Sequence, residues 1–178
     1  MTSKDSVSGG IRGRPVKIAV VALMVSFSLL AAVGSSIGAA YASAGTTGTG
    51  SFADSSFIIV STEIVGGKIV LNVKGSGTVT GAFTGSYTFE GRVTITPTGT
   101  ANYHVIDTCT CTVEGRSGTL VFRENGRGSA FGSFESKITI LRGTDGLANL
   151  NGHGALQGIQ DPTTLLTSGS YSVQYQFK

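Results

Sequence analysis

Residues 79–95 read VTGAFTGSYTFEGRVTI, and the alternation within this stretch decides the fold. Its odd positions hold apolar, aromatic or glycine residues, whereas most of its even positions hold threonine, serine, glutamate or arginine. Successive side chains of a β-strand point to opposite faces, so the pattern predicts strand with one apolar face and one wet face. The same parity holds for residues 69–73 and for residues 171–177 near the C-terminus.

The rest of the chain after residue 50 divides into short strands separated by turn residues. Gly66-Gly67, Pro97, residues 115–118 and Asn125-Gly126 supply the turn chemistry. One weak helical turn is predicted at residues 144–148. The eight predicted strands are residues 55–64, 68–75, 78–96, 101–114, 118–126, 131–141, 150–157 and 169–177.

Eight short strands with glycine between them are typical of an antiparallel barrel or of a β-sandwich. Gly81, Gly85 and Gly91 fall on the apolar face of the alternating stretch, where a strand must bend to close a sheet. Closure would also remove the exposed edges on which another chain could pair. We therefore favour an all-β, closed antiparallel eight-stranded barrel. The sandwich remains the alternative, because glycine marks bulges there as well.

The first quarter of the chain differs from the rest in composition. Residues 1–17 are polar and basic, residues 18–32 are apolar and uncharged, and small residues follow up to Ala42-Ser43-Ala44. These are the three parts of a secretory signal peptide, and the last of them favours cleavage after Ala44 over an uncleaved membrane anchor. The predicted organisation is a signal peptide or anchor helix in residues 1–44, a flexible linker in residues 45–50 and the barrel domain in residues 51–178. Such a protein is secreted or tethered outside the cytoplasm, and it meets the membrane only through its N-terminal segment.

Charge is divided unevenly along the chain. The formal net charge is +3, yet the residues from Gly45 onward contain nine basic and nine acidic side chains. A neutral domain lacks the positive surface that nucleic-acid-binding proteins use. The sequence therefore argues against nucleic acid as a partner.

Two turn motifs carry a family resemblance. Residues 115–122, GRSGTLVF, and residues 143–154, GTDGLANLNGHG, resemble the turn landmarks of DUF3224, a family of small bacterial and archaeal proteins without an established activity. The likeness covers the chain from Gly50 to Phe177. It implies the barrel that this family shares with plant allene oxide cyclase, a relative of the calycins. No catalytic role is carried over, because the polar residues of those cyclases cannot be placed in this sequence, and a shared fold does not imply a shared function.

Cys109 and Cys111 are separated by one residue in a predicted strand, so both thiols share a face with Val113. In an extended strand their Cα atoms would lie about 6.6 Å apart, at the long end of the range for disulfides, so a bond would be strained unless a bulge intervenes. We favour buried thiols or a structural bond over a redox pair. A zinc site is disfavoured because His104 has the opposite parity and His153 lies in a glycine turn. We predict neither a metal nor a cofactor.

No arrangement of residues in the sequence indicates catalysis. His104 and Asp107 face opposite sides of an extended strand, and Ser117 lacks the strand–turn–helix context of an activated serine. The carboxylates predicted to be solvated outward positions are Glu90, Glu114, Glu124 and Glu135. We therefore predict no catalytic residue and no acid–base pair.

A set of aromatic residues points to binding instead. The interior of an eight-stranded barrel is either filled by side chains or holds one small ligand. Interior tyrosine hydroxyls would need partners, which an oxygenated apolar ligand could supply, whereas an ordinary packed core is the simpler alternative. The predicted ligand-binding residues are Phe83, Tyr87, Phe89, Tyr103, Cys109 and Cys111.

These features lead us to expect a non-catalytic, exported protein whose partner is a small lipophilic molecule. A structural or adhesive cell-envelope domain is the second hypothesis, and an isomerase that resembles allene oxide cyclase is the third. A cavity larger than roughly a few hundred Å³ would favour the first or the third, and a filled core would favour the second. The sequence leaves the oligomeric state open.

Overall fold

The computed structural model describes residues 45–178, which form an all-β structure of eight antiparallel strands. The strands are β1 (Thr46–Val65), β2 (Lys68–Gly81), β3 (Phe83–Ile95), β4 (Thr100–Val113), β5 (Arg116–Ser129), β6 (Ser133–Gly143), β7 (Leu150–Gln160) and β8 (Thr167–Phe177). Each strand pairs with the next, and β8 pairs with β1, so the sheet closes into a ring with the strand order of a barrel. The two-sheet sandwich is therefore wrong.

The predicted signal peptide or anchor helix in residues 1–44 lies outside the described residues. Within residues 45–178, no helix has both the length and the hydrophobicity needed to cross a bilayer.

The alternation predicted for residues 79–95 is confirmed. Phe83 and Val93 are buried in the interior, whereas Thr84 and Thr88 between them are exposed. Threonine and serine cover the outer face because their hydroxyls can hydrogen-bond to water there. The apolar side chains point to the inner face, where they are removed from contact with water.

The stretch 78–96 is divided between two strands, although the sequence predicted one. β2 ends at Gly81, whose φ of 101° is a conformation that favours glycine. The Tyr171 hydroxyl bridges the break: it donates to the Thr80 carbonyl oxygen at 3.0 Å and accepts from the Phe83 backbone N–H at 2.9 Å. A β8 side chain thus hydrogen-bonds the backbone on both sides of the break.

Residues 45–50 were predicted to be a flexible linker, and this is wrong. β1 begins at Thr46, which pairs with Tyr175 of β8, and the antiparallel pairing continues to Ala53 opposite Ser168. The small residues serve packing: a Cβ atom on Gly48 would lie 2.8 Å from the ring carbon Cε1 of Tyr175, so only glycine leaves room for that ring. The barrel therefore begins five residues earlier than the predicted boundary at Ser51.

The turn predictions had mixed outcomes. Gly66 and Gly67 both have positive φ, as does the pair Glu114 and Gly115, and each pair forms a tight hairpin turn. The helical turn is confirmed as a 3₁₀ turn at Asp145–Leu147. The turn predicted at Asn125-Gly126 is wrong, because these residues lie inside β5 and continue its ladder.

One end of the barrel is sealed by apolar side chains. Leu147 in the 3₁₀ turn is fully buried and belongs to a core cluster with Leu120, Val113 and Leu150. A smaller cluster formed by Leu71, Val73, Val93 and Ala101 lies toward the opposite end. That end carries the β1–β2, β3–β4, β5–β6 and β7–β8 connections, and it is less completely filled.

Candidate functional site: the barrel cavity

The interior contains a cavity of about 160 Å³. Side chains from all eight strands bound it, and most of them are apolar. It reaches the surface at a rim that includes Ile59 and Phe131, which are 41% and 45% exposed. An apolar cavity of about 150 Å³ is known to accept benzene, so the space suits a guest of that size. The core is therefore not filled, but the cavity is smaller than the volume of roughly a few hundred Å³ above which a ligand-binding barrel was favoured from the sequence.

Five of the six residues predicted to bind a ligand line this cavity. They are Phe83, Tyr87, Phe89, Tyr103 and Cys109. Phe83 lies in the core beside the cavity, with its ring centroid 5.8 Å from that of Tyr171. Phe89 packs against Phe57 at 6.0 Å between centroids. These contacts form an aromatic wall, and the binding role of its residues stays a prediction.

Cys111 does not line the cavity; it is buried and disulfide-bonded to Cys109. The two Cα atoms are 5.4 Å apart, closer than in the ideal extended strand and within the usual range for disulfides. Both cysteines lie on the same buried face as Val113, as predicted. The bond is therefore part of the interior packing.

The structure does not assemble the zinc ligands considered from the sequence. His104 and His153 are exposed on the outer face, and His104 Nδ1 lies 2.8 Å from Asn125 Oδ1. Within residues 45–178, no group of three or more His, Cys, Asp or Glu side chains could hold a metal ion.

Three carboxyl groups line the cavity, and none of them was predicted to lie there from the sequence. They are Asp54, Asp107 and Glu124. The prediction that Glu124 faces solvent is wrong: it has the parity of Leu120 and Phe122, both of which belong to the core. Counting parity along β4 and β5 could have placed both Asp107 and Glu124 inside. Glu90, Glu114 and Glu135 are exposed, as predicted.

Asp54 is held by hydrogen bonds on both oxygens. The Tyr87 hydroxyl donates to Oδ1 at 2.6 Å, and the Thr167 backbone N–H donates to Oδ2 at 3.1 Å, joined there by the Thr167 hydroxyl. Burial raises the pKa of Asp54, and these hydrogen bonds partly oppose the rise. Burial, followed by the nearby Asp54 charge, also raises the pKa of Tyr87, so its phenol stays a protonated donor.

Asp107 and Glu124 form a second polar feature on paired strands. Asp107 lies opposite Phe122, and Glu124 lies opposite Val105, so the two carboxyls are diagonal neighbours on one face. Burial, followed by the charges of Glu124 and Asp54, raises the pKa of Asp107 well above its ordinary value.

Burial also raises the pKa of Glu124, and the charge of Asp54 adds to the rise. The Ser136 hydroxyl beside Glu124 partly opposes the rise, although this buried oxygen makes no hydrogen bond of regular geometry. Within residues 45–178, no lysine, arginine or histidine lines the cavity. The two acids therefore face each other and Asp54 with no basic side chain to balance them.

The rim of the cavity includes a strained aromatic residue. Phe131, in the connection between β5 and β6, has a φ of 60°. A bulky residue in the left-handed region is uncommon, and such strain concentrates at ligand clamps and other functional sites. Its ring stays partly exposed beside the opening.

Comparisons with known proteins agree on the fold. The model of the family described as "Protein of unknown function (DUF3224)" matches residues 60–167. A crystal structure of a DUF3224 protein of unknown function from Shewanella oneidensis MR-1 is similar, with a TM-score of 0.56 and 20% identity over 75% of this chain and 98% of that one. At this identity the likeness shows the fold alone. No curated protein matches this chain.

Proposed function

The chain belongs to the DUF3224 family, and from its interior we propose that it is a non-catalytic protein that binds a small, largely apolar molecule inside the barrel. The observation that carries this proposal is the cavity of about 160 Å³. Protein interiors pack as densely as organic crystals, so a space of this size is unusual in a core with no ligand to hold. The volume limits the occupant to about the size of benzene or a singly substituted derivative.

The wall of the cavity supports an apolar occupant. Tyr103 packs against Phe134 at 5.8 Å between ring centroids, and Tyr87 packs against Phe89 at 6.4 Å. Aromatic faces and edges of this kind bind a ring by offset or edge-to-face contact. The rim residues Ile59 and Phe131 extend the apolar surface to the opening.

Toluene binding to the full chain tests the proposal, with NMR shift changes and calorimetry as the measurements. Val105 lines the cavity, and the neighbouring Ile106 points outward and is 37% exposed. Val105→Phe should fill the space and abolish saturable toluene binding. Ile106→Phe adds a ring to the outer face of the same strand and should leave binding unchanged.

Two results would overturn the binding proposal. One is a wild-type chain that shows no saturable toluene binding. The other is a folded Val105→Phe variant that binds toluene as well as Ile106→Phe does, which would place the site elsewhere. Either result would leave the structural or adhesive domain as the better hypothesis.

An isomerase in a barrel like that of allene oxide cyclase, the third hypothesis from the sequence, is the other candidate for the cavity. Asp107 and Glu124 favour it, because carboxyls with raised pKa values in a cavity can serve as acids or bases. The relation to the cyclases and calycins is itself part of this proposal, supported by the strand order of the barrel. Native mass spectrometry of protein purified from its host distinguishes the two candidates, because it identifies any molecule retained in the barrel before and after long incubation with the protein. If the molecule is unchanged after incubation, the result supports binding. If it has been converted to another molecule, the result supports the enzyme.

Export is a further part of the proposal. A disulfide between Cys109 and Cys111 forms and persists most readily in an oxidising compartment outside the cytoplasm. The intact mass of the native protein tests this: a chain that begins at Gly45 and carries the disulfide is expected. A full-length, reduced chain in the cytoplasmic fraction would contradict export.

A further inference from the structure

We infer that the molecule bound in the cavity is a small amine, whose apolar body contacts the aromatic wall and whose protonated nitrogen faces the carboxyls of Asp107 and Glu124. This inference rests on the proposed function and adds the chemical class of the ligand.

The charges of the described chain are segregated between inside and outside. The nine lysine and arginine side chains from Gly45 onward are all exposed, whereas three of the nine acidic side chains line the cavity. A buried carboxylate needs a counter-charge or hydrogen-bond donors to offset the loss of water. The protein supplies donors to Asp54 from Tyr87 and Thr167.

The protein supplies much less to the other two acids. Within the described residues, Asp107 accepts no hydrogen bond of regular geometry, and Glu124 has only the hydroxyl of Ser136 beside it. The other titratable groups that face them are Asp54, Tyr87 and Tyr103, and none of these carries a positive charge. The missing component is a cation with N–H donors, which a protonated amine provides.

The rest of the cavity selects the body of this amine. Aromatic and aliphatic side chains form most of the wall, so a bare metal ion or a sugar would leave apolar surface without a partner. The faces of Tyr and Phe rings also attract cations. A benzyl-sized group bearing one amine matches the volume of about 160 Å³.

Three probes of nearly equal shape test the inference on the full chain by calorimetry near neutral pH: benzylamine, benzyl alcohol and toluene. A hydrogen bond to a charged group in a buried site lowers a dissociation constant about tenfold or more. The dissociation constant of benzylamine should therefore be at least about tenfold lower than that of either neutral probe, a difference called the amine preference below. In the double variant Asp107→Asn/Glu124→Gln the amine preference should disappear while toluene binding persists. Glu90→Gln removes an exposed carboxylate and is the matched control, which should keep the wild-type amine preference.

The outcomes separate this inference from the proposed function. If toluene binds and benzylamine binds no better, the cavity binds ligands but the inference is wrong. An amine preference that survives in the double variant would equally overturn the role of the two acids. If none of the three probes binds, both the inference and the proposed function fail.

Discussion

Asp107 shows how one side chain in a strand can set the chemistry of an interior. Its position is fixed by parity, since Cys109 two residues later is buried on the same face. Burying a charged side chain in such a place costs free energy unless the charge is paired. The pKa of Asp107 is therefore raised, because burial favours its neutral form over the carboxylate. Glu124 behaves in the same way on the next strand.

The stability of the protein should therefore fall as the pH rises through the acid range. The ordinary pKa values are 3.8 for Asp107 and 4.5 for Glu124, and both are raised in the folded state. Above these ordinary values the unfolded chain loses its protons first, so the free energy of unfolding decreases until the pH passes the raised values, and then it levels off. Urea denaturation as a function of pH measures this directly.

The double variant Asp107→Asn/Glu124→Gln should flatten this pH dependence. Near neutral pH its free energy of unfolding should exceed that of the wild type by on the order of 1 kcal/mol, because the amides carry no charge to desolvate. The difference should appear as a higher urea midpoint. Glu90→Gln, altered on the outer face, should follow the wild-type curve. A wild-type stability that rises steadily from acid to neutral pH would contradict the assignment.

At the scale of elements, pairs of glycine and an aromatic residue shape the barrel wall. Gly77 lies directly opposite Tyr87, and Gly75 lies opposite Phe89. Each ring lies over the bare backbone of the neighbouring strand, an arrangement known to stabilise glycine in sheets. This placement of the Tyr87 ring brings its hydroxyl to Asp54.

Gly77→Ala should disrupt this arrangement. The added Cβ would clash with the backbone carbonyl oxygen of Ala53 and would lie 2.5 Å from both the Cζ and the hydroxyl oxygen of Tyr87. Both the β1 backbone and the ring would have to move, which would strain the hydrogen bond of Tyr87 to Asp54. Overpacking of this kind costs about 1–3 kcal/mol, which should appear as a lower urea midpoint. Thr78→Ala changes the adjacent exposed position and should have little effect. Equal midpoints for the two variants would show that the wall yields easily.

These elements also show what the sequence could predict. Alternation placed Phe83 and the cysteines inside correctly because the pleat of a strand is a local, rigid property. The interior acids were missed because Asp and Glu are rarely buried: Glu124 was assigned to solvent, and Asp54 and Asp107 were not assigned to the interior. Residues 45–50 were assigned to a linker for a similar reason: glycine and threonine resemble a tether until the rings of β8 are known to lie against them. The cavity depends on how rings from distant strands meet, which no local pattern encodes.

At the scale of the whole molecule, closure of the sheet is incomplete along one strand. β8 pairs with β1 only from Thr46 to Ala53. Beyond that point, no other strand of residues 45–178 pairs with the second edge of β1, which continues to Val65 alongside β2 alone. Closure therefore leaves one exposed edge along the second half of β1, contrary to the expectation that it removes the exposed edges. Several apolar side chains on this segment are also exposed, among them Ile58, Val60 and Ile64.

An exposed apolar edge can template pairing with another chain. Two irregularities in the register of β1, at Asp54/Ser56 and at Ile59/Ser61, twist the edge and limit such pairing, so we expect weak association that becomes visible only at high protein concentration. Val60→Lys, which places a charge on the edge, should shift sedimentation velocity profiles toward the monomer without lowering the thermal midpoint. Ile106→Lys is the matched control, since Ile106 is exposed on a strand paired on both sides and its substitution should leave association unchanged. If both lysine variants reduce association equally, general surface charge rather than the open edge of β1 controls it.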